Sequence, residues 1–204
     1  MTPVYKLSAS SITGRTTYGS MLAGNTAYEI PGDYESIATV SVGSGGASSV
    51  TFSNIPNTYE HLQIRCIAKT DRAETDDVVT MTFNSDTGAN YSWHSLRGNG
   101  IVAAAGAGTS TSYISIYYGA TGNSGANDIF AGSVTDILDY ANTNKYKTTR
   151  TLNGMDLNGS GWVYLHSGNW RSTSAITSIT LDQRYGSNFK QYSQFALYGI
   201  KGAA

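Results

Sequence analysis

The segment His61-Leu-Gln-Ile-Arg-Cys-Ile-Ala-Lys69 carries the clearest structural signal in this chain of 204 residues. Its apolar residues Leu62, Ile64, Cys66 and Ala68 occupy every second position. Successive side chains of a β-strand point to opposite faces, so this period of two predicts a strand with one buried face. The interpretation of the rest of the chain starts from this strand.

Comparable patterns occur on both sides of it. They predict further strands at Glu35–Val42, Val50–Ile55, Val78–Phe83, Tyr113–Tyr118, Ile129–Leu138, Tyr146–Leu152, Gly161–His166, Ile176–Leu181 and Gln194–Ile200. The glycine-rich turn Gly43–Gly46 predicts a hairpin between the first two. No window shows sustained helical periodicity, and a short turn at Asp139–Asn142 is the most helix expected. The fold class is therefore predicted as all-β, an antiparallel β-sandwich or jelly roll with Thr and Ser on its outward faces.

The first 34 residues differ from this body. Glycines and Pro31 interrupt them at short intervals, without a period of two or 3.6. We predict an extended N-terminal docking arm, Met1–Tyr34, that orders against another surface, followed by a sandwich domain, Glu35–Ala204. An unstructured leader is the alternative. The candidate assembly residues of the arm are Val4, Tyr5, Leu7, Ile12, Tyr18, Met21 and Leu22.

Charge and cysteine content exclude several classes of partner. The 13 Lys and Arg residues against 14 Asp and Glu residues leave a net charge of −1. We therefore expect no broad basic surface for nucleic acid or an anionic membrane. The single cysteine, Cys66, rules out an internal disulfide framework. Neither a signal-peptide pattern at Met1 nor a long apolar run occurs, so we expect a chain that is made and kept soluble.

Motifs for cofactors and metals are weak. Gly98-Asn-Gly-Ile-Val-Ala103 matches the dinucleotide fingerprint, but no βαβ pattern surrounds it, and we expect a flexible loop there. The acidic stretch Asp71–Asp77 lacks the spacing of an EF-hand loop. We expect a solvated loop, and the sequence leaves open whether it holds a cation. No cofactor is predicted.

Catalytic residues are not framed by any motif. The histidines His61, His94 and His166 lie in unrelated contexts, which does not suggest a zinc site. A glycosidase such as a polysaccharide depolymerase needs two facing carboxylates, for which the candidates are Asp136, Asp139, Asp156 and Asp182. No Gly-x-Ser-x-Gly pattern marks a reactive serine. We therefore predict no catalytic or metal-binding residue.

Aromatic residues are more numerous than one sandwich core needs. Tyr and Trp combine a large apolar face with a polar tip, which suits interfaces and sugar-stacking platforms. We predict an exposed aromatic interface made of Trp93, Tyr117, Tyr118, Trp162 and Trp170. Subunit contact is the favoured interpretation of these residues, and glycan binding is the alternative.

Several short motifs follow one another in a recognisable order. They are a Gly-Ser-rich turn and short strand (Val42–Phe52), Ile55-Pro-x-x-Tyr-x-x-Leu62, Phe83-Asn-x-Asp-x-x-x-Asn-Tyr91, Asp136-Ile-Leu-Asp-Tyr-Ala-Asn-Thr-Asn-Lys-Tyr-Lys147, Ser167-Gly-Asn-Trp-Arg171 leading into Ala175–Ile179, and Tyr192-Ser-x-Phe-x-Leu-Tyr-Gly-Ile-Lys201. In these motifs, from Ser36 to Lys201, the chain resembles a family of bacteriophage virion structural proteins, found among tail-fibre-like and other particle-surface proteins.

The resemblance implies a non-enzymatic β-sandwich that assembles on the outside of a phage particle, often as a homotrimer. Expected partners are other virion proteins of the tail or the major capsid protein, with a host-surface glycan as a further ligand. The expected location is the virion, after synthesis in the host cytoplasm. A tail-fibre or tail-associated module is favoured. The alternatives are a capsid-decorating cement protein that staples capsomers and, from another class, a carbohydrate-binding module.

Overall fold

The computed structural model describes residues 33–124 and 128–202, which form strands, turns and loops. The strands are β1 (Tyr34–Ser41), β2 (Ser49–Phe52), β3 (His61–Ala68), β4 (Asp76–Phe83), β5 (Tyr91–Gly98), β6 (Ala103–Thr111), β7 (Ile114–Thr121), β8 (Ala131–Leu138), β9 (Lys147–Asp156), β10 (Gly161–Trp170), β11 (Ile179–Gln183) and β12 (Gln194–Ile200). No helix in this part of the chain is long and apolar enough to span a membrane. The predicted all-β fold is confirmed.

The strands form two antiparallel sheets. The larger has the order β1-β12-β3-β8-β9-β10-β5-β6 and the smaller the order β2-β11-β4-β7. The antiparallel pairs β1–β12, β2–β11, β3–β8 and β4–β7 alternate between the two sheets, which is the winding of a jelly roll. Two inserted hairpins, β5–β6 and β9–β10, lengthen the larger sheet by four strands. We call these four strands the extension.

The core lies between the sheets, where every second side chain points inward. Leu62 and Leu197 of the larger sheet belong to the same buried cluster as Met81 and Phe83 of the smaller one. Cys66 lies on this inner face too, and burial raises the pKa of its thiol to about 12. The cysteine therefore packs as a small apolar residue and carries little thiolate at neutral pH.

The first two strands do not pair with each other, so the predicted hairpin around Gly43–Gly46 is wrong. β1 pairs with β12 and β2 pairs with β11, which puts them in different sheets. Gly46 has a φ of 74°, and a Cβ there would lie 3.0 Å from the carbonyl oxygen of Phe189. The glycine-rich turn thus carries the chain across the edge of the sandwich. The short turn expected at Asp139–Asn142 is present, with the amide of Asn142 bonded to the carbonyl of Asp139.

The sandwich domain begins slightly earlier than predicted. Contacts group the chain from Asp33 onward as one unit, and Tyr34, assigned to the arm from sequence, starts β1. The arm residues Val4 to Leu22 lie outside the described residues. A truncation that removes the arm therefore has to end at residue 32 to leave β1 intact.

The segment expected to be a flexible loop after Gly98 is strand β6, so that expectation is wrong. Gly98 ends β5, Gly100 lies in the turn, and the alanine- and glycine-rich run pairs regularly with β5. A Cβ at Gly108 would lie 2.5 Å from Nε1 of Trp93. The glycine therefore leaves room for the indole ring beneath β6, which explains a strand without large side chains.

Candidate docking surface

The extension partly reverses the usual polarity of a sheet. Its inner face buries polar side chains, among them Ser95, Thr149, Thr151, Asn153 and His166. Some of these buried side chains form hydrogen bonds with other polar side chains. The hydroxyl oxygens of Thr151 and of Thr135 in β8, for example, are 2.8 Å apart. The expectation that Thr and Ser face outward is therefore wrong for this part of the sheet. Large rings such as Trp93, Tyr164 and Trp170 share this inner face, whereas the leucines and valines of the same strands point to the other side.

The outer face of the larger sheet consequently carries an exposed apolar band. Its members are Ile67, Leu96, Val134, Leu152, Val163 and Leu165, with exposed fractions between 38% and 62%. Strand register aligns four of them in one row, Val134, Leu152, Leu165 and Leu96. With adjacent strands about 4.8 Å apart, the row spans about 14 Å. Contiguous apolar patches on a folded surface mark sites that another surface covers.

A shallow depression of about 570 Å³ lies within this band. Gly132 and Gly154 pair directly across β8 and β9 and leave its floor without side chains. Ile67, Leu152 and Val163 are among the residues that line it. The depression therefore combines a floor of bare backbone with an apolar lining.

A polar border runs along one side of the band. The Arg65 guanidinium lies 5.5 Å from the ring centroid of Tyr34 and 5.7 Å from that of Tyr198. Gln63 accepts hydrogen bonds from Tyr34 and Arg65 and donates one of 2.7 Å to Asp136. These side chains hold one another in place, so the border presents a fixed polar pattern. An apolar centre with a polar edge is the usual composition of a protein interface.

The predicted exposure of the aromatic interface is wrong for two of its five residues. Trp93 and Trp170 are buried, at 8% and 2% exposed, and Tyr117, Tyr118 and Trp162 are half-buried. The Trp93 ring lies 5.0 Å from Tyr117, and Tyr118 lies 5.4 Å from Trp162. Four of the five residues thus fill the space between β7 and the underside of the extension, where large rings compensate for the polar side chains.

Tyr117 and Tyr118 reach this space because β7 bulges. The register against β4 shifts at this point, and Tyr118 has a φ of 55°. The side-chain Nδ2 of Asn153 donates to the backbone carbonyls of both tyrosines, at 2.8 and 3.1 Å. The buried Asn153 therefore provides partners for carbonyls that the bulge removes from the ladder.

The acidic loop Asp71–Asp77 uses its carboxylates to hold a neighbouring loop. Asp71 accepts hydrogen bonds from the amides of Ser187 and Asn188, and Asp77 accepts one from the amide of Gly186. Burial tends to raise the pKa of Asp71, but the bonds from Asn188 and Ser187 outweigh it and lower that pKa. These contacts give the acids a structural function in joining two loops.

The three histidines lie in different strands, β3, β5 and β10. His61 Nδ1 accepts the amide hydrogen of Asp139, His94 is exposed, and His166 is buried. Ligand atoms of His61, Asp139 and Glu60 lie within 4.8 Å of one another. Lys145 donates to the Asp139 carboxylate, so this group forms an ion pair of its own.

The aspartates considered as glycosidase residues lie in different parts of the fold. Asp136 bonds to Gln63 on the outer face of β8, and Asp156 ends β9 and accepts the amide of Asn158. Asp182 lies on β11 of the smaller sheet, where burial raises its pKa.

The motifs that carry the family resemblance make structural contacts. Tyr59 lies against Gly199, where a Cβ would be 2.3 Å from the ring, and its hydroxyl donates to Glu35. Glu35 also accepts Lys201, and these two hydrogen bonds lower its pKa. Asp86 accepts the indole hydrogen of Trp170 at 2.7 Å. The motifs thus fix the ends and turns of the jelly roll.

The outer apolar band is the surface best suited to binding among the described residues, and sequence interpretation missed it. The alternation that places Leu152 of β9 and Val163 and Leu165 of β10 on one face is visible in the sequence. The sequence prediction, however, put Thr and Ser on the outward face instead. Known proteins do not identify the chain: no family model matches it, and neither a curated protein nor a solved structure does.

Proposed function

We propose that this chain is a non-enzymatic structural protein of a bacteriophage virion, assembled on the particle exterior as a tail-fibre or tail-associated module. The identification of the particle depends on the resemblance in the motifs between Ser36 and Lys201. In this proposal the residues before Asp33 anchor the chain, and the outer apolar band packs against a neighbouring virion protein.

The single observation that carries the proposal is the reversed polarity of the extension. Burying Thr149, Thr151 and His166 while exposing Leu152 and Leu165 is unfavourable for an isolated domain. The arrangement becomes favourable when another protein covers the outer face. A chain whose best-developed surface is a broad, nearly flat apolar band is suited to holding a partner in an assembly.

Docking through the outer apolar band predicts that charged substitutions in the band reduce incorporation of the chain into particles. We expect the double variant Leu152→Asp/Leu165→Asp to enter particles at least about tenfold less than the unchanged chain, since docking would bury two carboxylates. The measurement is quantitative mass spectrometry of purified particles from a host that expresses the variant. Both side chains are exposed, so no core contact is lost, but the two carboxylates would lie opposite each other in the β9–β10 ladder, and thermal unfolding checks that the variant remains folded.

Ile101→Asp is the matched control, because Ile101 is 90% exposed in the β5–β6 turn. It makes the same kind of change outside the band and should leave incorporation unaltered. Normal incorporation of the folded double variant would refute docking through the band.

A capsid-decorating cement protein is the alternative within the same class. Both functions use the same surface chemistry, so the measurement that distinguishes them is the number of copies of this chain per particle. A copy number close to that of the major capsid protein would indicate decoration, and a small number per particle would indicate the tail.

Carbohydrate binding is a second candidate function, favoured by a depression of about 310 Å³ at the end of the extension. Trp162 lines it together with Asn99, Asp156 and Ser160. The Arg97 guanidinium lies 5.3 Å from the Trp162 ring centroid and supports the ring from one side. An aromatic ring beside polar groups is a suitable sugar platform.

On a glycan array, this function predicts binding by the unchanged chain that Trp162→Ala reduces about tenfold, since stacking contributes on the order of 1 kcal/mol or more. Absence of binding to any glycan by the unchanged chain would contradict it.

A further inference from the structure

Among residues 33–124 and 128–202, the two sheets end in four edge strands, and three of them are protected against pairing with another strand. Unpaired edges expose backbone groups that attract further strands, and short length, bulges and charges are the usual defences. β2 has four residues, and β7 is bulged at Tyr117 and Tyr118. β1 has a register shift between Ser36 and Ala38 and carries the charged Glu35.

The fourth edge, β6, lacks these defences over most of its length. Its nine residues, Ala103–Thr111, include neither a charged residue nor a proline. The run from Ala103 to Gly108 pairs residue by residue with β5, and the irregularity near Ser110 comes only after it. Every second residue of this run directs its N–H and C=O groups away from β5. No other described strand pairs with this regular, uncharged edge of six residues.

The chemistry of this edge fits a second copy of the same strand. Antiparallel self-pairing brings no like charges together, and the small Ala and Gly side chains offer no steric obstacle on either face. Around a two-fold axis, the backbone of each β6 strand would both donate hydrogen bonds to the other copy and accept them from it. Two-fold symmetry is the commonest symmetry of soluble oligomers.

The outer apolar band also reaches this edge. In the β5–β6 register, Ala105 pairs with Leu96 of the band. Ala103 pairs with Gly98, which in turn pairs with Val163 of the band. Pairing of two β6 strands would therefore join the bands of two copies into one surface. This continuity with the docking surface favours a second copy over an unrelated peptide.

We propose that β6 pairs antiparallel with β6 of a second copy, so that the two larger sheets become one continuous sheet. The inference goes beyond the proposed function, since self-pairing requires no virion. It specifies a two-fold contact, whereas the family resemblance implies a three-fold one.

The test is the molar mass of the purified full chain, measured by size exclusion with light scattering. We expect an even multiple of the chain mass, and we expect Ala105→Lys/Ala107→Lys to halve it, because the added charges face each other across the axis. Both residues are exposed on the outer face. The control Thr39→Lys/Ser41→Lys alters two exposed residues of β1, the other edge of the same sheet, and should leave the mass unchanged.

A second variant keeps the proposal testable if the lysine variant fails to fold. Ala105→Cys should form a disulfide-linked dimer under mild oxidation, whereas Thr39→Cys should not. The native Cys66 does not interfere, because it is buried. A wild-type chain that is monomeric or trimeric, or a mass that the β6 lysines leave unchanged, would overturn the proposal. Particle incorporation is not measured, so this outcome is independent of the virion function.

Discussion

Trp170→Ala is expected to lower the free energy of unfolding by about 4 kcal/mol, the range for removing a buried tryptophan. The ring is 2% exposed and packs against Phe83 at 5.6 Å and Tyr91 at 6.3 Å between centroids. Its indole N–H donates to Asp86, which also accepts the amide of Gly88. Removing the ring therefore opens a cavity and deprives a turn of one of its hydrogen bonds.

Chemical denaturation followed by circular dichroism measures this loss. Trp162→Ala is the matched control, since its half-buried ring lies at the margin of the same sheet and should cost about 1–2 kcal/mol. If the two variants lost equal stability, the assignment of Trp170 to the core would be wrong. The difference also means that Trp170→Ala cannot test glycan binding, because loss of binding would follow from unfolding.

Acidification is expected to destabilise the domain by about 3 kcal/mol through His166 alone, between pH 6.5 and about pH 4. Burial lowers the pKa of this imidazole to about 4, and the backbone of Tyr117 offsets burial only in part. The ring is 1% exposed and stacks on Tyr164 at 5.1 Å. The folded state binds this proton less readily than the unfolded chain. The contribution is therefore complete above pH 6.5 and is lost as the pH falls towards 4.

Denaturation at a series of pH values tests this. His166→Phe keeps an aromatic ring but removes the titration, so its stability should vary less between pH 6.5 and 4. His94→Gln, on the exposed face of β5, is the control for replacing a histidine outside the buried site. Carboxylates with lowered pKa values, such as Asp71 and Asp86, lose their contribution at lower pH as they become protonated. An unchanged slope in His166→Phe would show that the imidazole is not the group responsible.

The sequence predicted the fold class because its strongest signals are local. The alternation around Leu62 and Ile64 placed β3 correctly, and most other strands lie within a few residues of their predicted positions. The pairing of the strands was harder to predict from the sequence. The Gly43–Gly46 turn resembles a hairpin turn, yet β1 and β2 join different sheets, since pairing depends on contacts with β11 and β12 far along the chain.

The docking surface could not be derived in this way. Alternation shows that Leu152 and Leu165 share a face, but which face is covered depends on the neighbouring sheet. Burying the leucines and valines would be the usual choice, but the extension exposes them and buries Thr149, Thr151 and His166 beside its aromatic rings. β6 was missed because Ala and Gly have low strand propensity, and its conformation depends on the Trp93 ring beneath Gly108.

The pairing of β1 with β12 has a practical consequence for engineering. The amide of Lys201 donates to the carbonyl of Asp33, so the first and last strands leave the domain at the same corner. β6 lies at the opposite end of the eight-stranded sheet, six strand spacings or about 29 Å from β12. A fluorescent reporter or an antigen fused through a linker after β12 would therefore lie far from β6 and leave that edge accessible.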